Sequence, residues 1–102
     1  MAITESTLEG DLASRMRTLR RMIAGENQTA FAAKMEIELK RWNNFERGSP
    51  LSKEVAFLLV QKVPGLTLDW LYFGKVEGLT VALRDRLEEA GKATKSADRR
   101  GR

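Results

Sequence analysis

Apolar residues recur along the chain at intervals of three and four, the period of an α-helix that buries one face. Leu8, Leu12, Met16, Leu19 and Ile23 form the first such stripe. Ser6-Thr7-Leu8-Glu9 has the S-x-x-E form of a capping box that would open this helix. Gly10 weakens the first turns by about 1 kcal/mol relative to alanine, which moves the expected start toward Asp11. Gly25 suits the left-handed residue that ends it. A second helix is predicted after Asn27, a good N-cap, with Phe31, Ala32 and Met35 inward. Glu36-Ile37 makes a tight turn, and a third helix runs over about residues 38–46, where Glu38 suits the helix dipole. Gly48-Ser49-Pro50 stops it.

Ser52 caps a fourth helix carrying Val55, Ala56, Leu58, Leu59 and Val63, and Pro64-Gly65 breaks it. Thr67 caps a short fifth helix that ends at Gly74, where Leu68 and Leu71, with Trp70 or Phe73, close the core. Leu79, Leu83, Leu87 and Ala90 form one stripe of a sixth helix between Gly78 and Gly91. No stretch alternates as a strand would, so the expected class is all-α. The chain divides into a helical domain over residues 1–74, a further helix within 75–91, and a small, polar, basic segment over 92–102 that reads as a disordered tail.

Composition narrows the chemistry. A chain of 102 residues makes one domain. Cysteine and histidine are both absent, which removes disulfides, thiolate and imidazole catalysis, and metal sites built on those residues. The paired carboxylates Glu88-Glu89 lie on an exposed helix face with no pocket implied. No enzyme, cofactor or metal is therefore expected. No apolar run is long enough to span a bilayer, and Ile3 to Leu12 is too polar for a signal peptide, so a cytoplasmic location is expected.

The net charge of +4 is unevenly placed. Residues 1–78 carry eleven Lys/Arg against ten Asp/Glu, and residues 79–102 carry seven against four. Global charge alone is thus a weak sign of a nucleic-acid partner. Local placement says more: Arg15, Arg17, Arg20 and Arg21 line the first helix, while Lys40, Arg41 and Arg47 gather on or beside the third.

On a helical wheel of the third helix, Trp42 and Phe45 share the inner face with Glu46 beside them. Lys40, Asn43, Asn44 and Arg47 occupy the opposite face, with Leu39 and Arg41 at its edges. An asparagine amide can bond adenine N6 and N7 together, a cation can bond guanine O6 and N7, and a leucine can pack on a thymine methyl. The competing reading is a solvated helix face. Trp42 belongs to the core by periodicity, and a buried Glu46 needs a cationic partner.

With those helices placed, residues 12 to 74 resemble the lambda-repressor-like helix-turn-helix family, the XRE or Cro/repressor type. The matching marks are Gln28 opening the second helix, Phe31-Ala32, Ile37 after the turn, Trp42 and Phe45, Glu46-Arg47-Gly48 ending the third helix, and LTLDWLYFG over residues 66–74. The resemblance implies a five-helix domain, with the helix-turn-helix over about residues 27–48, that binds double-stranded DNA as a homodimer on a palindromic site. It implies that Gln28 holds a phosphate and braces the first residue of the third helix. Leu39, Lys40, Asn43 and Asn44 would face bases, Arg47 would lie by a phosphate, and Glu46 would pair with Arg20 or Arg21. Arg41 flanks this set. The family usually has glycine where this chain has Glu36; a positive φ there would cost on the order of 1 kcal/mol.

The expected function is a transcriptional regulator of repressor type, nucleoid-associated in a bacterial or phage setting. The alternative is a protein-interaction module, such as an antitoxin or adaptor, that uses the same fold to hold a protein partner. The Leu79–Leu83–Leu87 stripe leaves two readings, a fold back onto its own domain or a seam with a second copy. The five-helix core already closes at Gly74, which favours the seam.

Overall fold

The computed structural model describes residues 5–100, with side chains from 12 to 92. Six helices follow one another: α1 Glu5–Ala24, α2 Gln28–Met35, α3 Leu39–Glu46, α4 Lys53–Lys62, α5 Leu68–Phe73 and α6 Val81–Arg100. Among the described residues there is no strand.

Local chemistry sets most of the boundaries. Asn27 Oδ1 accepts from the Ala30 amide at 2.8 Å, and the Ser52 and Thr67 hydroxyls accept from Val55 and Trp70 amides at 3.2 and 3.1 Å. Each satisfies an amide that has no intrahelical partner. Thr80 does the same for α6, accepting from the Leu83 amide at 3.2 Å. Gly74 ends α5 in the left-handed region at φ 73°. Glu36 ends α2 the same way at φ 61°, the one described non-glycine residue with positive φ. The glutamate therefore keeps the backbone that a glycine would adopt more readily.

Three expectations are corrected and one alternative is decided. The first helix is already formed at Glu5, so Ser6 lies within it and not at its cap; the Leu8 side chain falls outside the described residues. One glycine does not stop a 20-residue helix. Helix α3 begins at Leu39, with Glu38 in the cap position but making no cap bond through its side chain. The stretch after Lys92, read as a disordered tail, is helical to Arg100, consistent with its Ala, Lys and Arg content and lack of proline. Of the two residues offered for closing the core, Trp70 does so at 6% exposure, whereas Phe73 is 61% exposed.

The core is built on α1, which packs against α2, α3, α5 and α6. Met16, Leu19, Phe31, Trp42, Leu59 and Leu71 are fully buried around it. Leu79, Leu83 and Leu87 belong to this same core. The reading of that stripe as a dimer seam is thereby corrected. Helix α6 packs against α1, which buries the stripe within the same chain. Close approach at the base of α6 depends on Gly65 at φ 86°, where a Cβ would stand 2.8 Å from Thr80 Oγ1.

Candidate functional site

The site is α3, and its orientation is set from beneath. Trp42, Phe45 and Glu46 are buried at 0%, 5% and 4% exposure, although the helix is only 8 residues long. The Trp42 ring lies 4.5 Å from Phe31 and 6.1 Å from Phe45, centroid to centroid. The Glu46 carboxylate receives the Arg20 guanidinium in a two-pronged pair, Nε to Oε2 at 3.0 Å and Nη2 to Oε1 at 2.9 Å. The Trp42 indole N–H donates to the same Oε2. Arg17 Nη1 donates to the Glu46 carbonyl at 2.7 Å, holding the C-terminal end of the helix. Helix α3 thus cannot roll without breaking a buried charge-assisted network.

That network shows in the titration of Arg20. The hydrogen bond to Glu46 raises its pKa above the ordinary arginine value; burial works against this, and the Glu46 and Glu26 charges add to it. The pairing thus favours the charged guanidinium, which an arginine keeps in any case. Its Nη1 also donates to the Gly25 carbonyl at 2.7 Å. Arg21 goes elsewhere, to Glu26 at 2.7 Å, so of the two candidates Arg20 is the one joined to Glu46.

With the inner face fixed, the outer face follows. Leu39, Lys40, Asn44 and Arg47 are exposed and Asn43 is half-buried. Lys40, Asn44 and Arg47 make no side-chain bond to another described residue. Gln28, the first residue of α2, donates through Nε2 to Asn43 Oδ1 at 3.3 Å. The brace expected on the first residue of α3 therefore falls one turn further along. Leu39 has no polar atom to receive it, whereas the Asn43 amide oxygen does.

Arg41 sits apart from the others, on the flank toward α4. It bonds Ser52 Oγ at 3.1 Å, stands 3.4 Å from Glu54, and lies 6.0 Å from the centre of the Phe45 ring. The remaining cations singled out by sequence are used inside the protein. Arg15 donates to the Leu71 and Tyr72 carbonyls at 3.1 and 3.0 Å, closing the end of α5. Sequence reasoning missed the roles of Arg15 and Arg17; their nearness to the apolar stripe of α1 was the available signal.

The result is a short helix presenting two amides, a lysine and an arginine outward, with an exposed leucine at one edge. Amides can donate and accept at once, and the cations can hold anions. Among the described residues no group of His, Cys, Asp or Glu could hold a metal, and no helix is long and apolar enough to cross a membrane. Compared with known proteins, the chain matches no family model, no curated protein and no solved structure.

Proposed function

We propose that the protein is a DNA-binding transcriptional regulator of the lambda-repressor-like helix-turn-helix type, acting as a repressor on a palindromic site. The observation that carries this reading is the contrast across α3. Its inner face is held by the Arg20–Glu46–Trp42 network, and its outer face carries Lys40, Asn43, Asn44 and Arg47. A helix inserted into the major groove needs both properties, a fixed angle and outward side chains that can bond base edges. The Gln28–Asn43 bond supports it further, since it sets one amide before any base arrives. The N-termini of α2 and α4 would offer amides to phosphates beside the groove.

As a homodimer, two copies of α3 about 34 Å apart would read half-sites one helical turn apart. The exposed apolar side chains available for such pairing are Phe73, Val76 and Val81, around the end of α5 and the start of α6.

The test is selection of bound duplexes from a random DNA pool at low and moderate salt. The expected result is an enriched palindrome that is lost when Asn43 and Asn44 become alanine. Lys40→Glu should abolish binding without unfolding the protein. Sequence-blind binding that collapses steeply with salt would leave only phosphate attraction. Absence of any binding would favour the second reading, a protein-interaction module, which draws its support from the half-exposed Phe57 and the exposed Phe73.

A further inference from the structure

A groove of about 400 Å³ lies between the α2–α3 turn and α4, with Arg41 on the flank of α3 among its lining residues. Ile37 and Val55 form its floor, and Phe57 and Leu58 one wall. Phe57 is 50% exposed on the outer side of α4, which leaves a large aromatic surface uncovered. The rim carries three exposed carboxylates, Glu36, Glu38 and Glu54, against one exposed cation, Arg41, and is acidic on balance. Glu38 has no ion-pair partner among the described residues. Glu36 and Glu54 are held only by surface pairs, to the half-buried Lys62 at 3.5 Å and the exposed Arg41 at 3.4 Å. Pairs of that kind contribute little and exchange readily for another cation.

We infer that this groove docks a basic segment of a partner protein, one large apolar side chain seating against Phe57 and Leu58 while lysine or arginine side chains meet Glu38 and Glu54. The charge selects the occupant. The three carboxylates outnumber the one lining cation, Arg41, which Glu54 already holds, so phosphates and an acidic peptide would be repelled on balance. The basic residues 92–102 of a second copy, KATKSADRRGR, have the right charge but no large apolar side chain to fill the space beside Phe57. A hydrophobic anchor with a complementary charged rim is the usual composition of a peptide-docking site. The inference does not depend on DNA binding: of the cations and amides on and beside α3 only Arg41 lines the groove, and Lys40, Asn43, Asn44 and Arg47 do not.

The test uses the full chain, isotope-labelled, without DNA. The probe is a synthetic peptide with one leucine flanked on each side by arginines, beside a control with serine in place of the leucine. Saturable shifts of the Ile37, Glu38, Phe57, Leu58 and Gln61 amides are expected with the leucine peptide. Binding should weaken about tenfold with the serine control or with Phe57→Ser, and severalfold with Glu38→Gln and Glu54→Gln together. Because Phe57 is half-exposed, its serine variant should keep the helical spectrum of the parent; Phe57→Leu, which keeps an apolar wall, should restore most of the binding. Shifts spread over other faces, or binding indifferent to Phe57→Ser, would overturn the inference. So would concentration-dependent self-association abolished by Phe57→Ser, which would assign the groove to a second copy.

Discussion

Helices α1 and α3 are both rich in cations, yet they use them in opposite ways. On α1, Arg15 closes the end of α5, Arg17 closes the end of α3, Arg20 holds Glu46, and Arg21 holds Glu26. On and just after α3, Lys40 and Arg47 project outward with no described side-chain partner. A guanidinium presents several donors in a fixed fork, which suits it to gather carbonyls and a carboxylate at helix ends. Charge counted along the chain cannot separate these uses. Four arginines on one helix can serve packing alone, whereas two cations and two amides on another can constitute a binding face.

The contrast can be broken by substitution, beginning where the effect is largest. Glu46→Ala leaves Arg20 buried without its partner and should cost about 3–5 kcal/mol in urea unfolding. Glu46→Gln, which keeps an acceptor for the Trp42 indole, should cost less. Arg15→Ala removes two charge-assisted bonds to α5 and should cost about 2 kcal/mol by the same measurement.

Next in size is Tyr72, which anchors α5 from its other side by donating to the Leu51 carbonyl at 3.0 Å. Burial raises its phenol above the usual value of about 10, so the folded state keeps a proton that the unfolded chain has lost. Its contribution is full below about pH 10 and falls as the pH rises beyond that. Tyr72→Phe should lose about 1 kcal/mol at neutral pH and remove this residue's share of the alkaline decline. Unfolding series from pH 8 to 11 on both proteins would check it.

Smaller effects lie at the surface. Glu36→Gly should stabilise by about 1 kcal/mol, since glycine takes φ 61° without strain and the surface pair to Lys62 contributes little. A loss of stability would mean that the pair matters more than the backbone. Smallest of all, Lys40→Ala with Arg47→Ala should change stability by no more than about 0.5 kcal/mol. A large loss would show that these cations are structural after all and erase the contrast with α1.

Much of the architecture was legible because it is local. Asn27, Ser52 and Thr67 each cap an amide three residues ahead, a relation that needs no tertiary context. The inner face of α3 was equally readable, because Trp42 and Phe45 are three apart and helical periodicity puts them together. The Arg15 bonds to residues 71 and 72 were not readable, since no local rule relates positions so far apart. The α6 stripe misled for a related reason. An amphipathic stripe shows that a face will be buried, but not whether the covering surface belongs to the same chain.

By itself the sequence determined an all-helical chain, the caps at Asn27, Ser52 and Thr67, the left-handed residue at Gly25, and the division of α3 into an apolar and a polar face. These follow from rotamers, backbone dihedrals and hydrogen bonds within a turn or two. Only the tertiary structure decided which carbonyl each α1 arginine reaches, that Gln28 braces Asn43, that α6 folds onto α1, and that Phe57 stands beside an acidic rim. Those outcomes depend on how rigid helices pack in three dimensions, where a pairing is chosen by shape and burial across the whole core rather than by spacing along the chain.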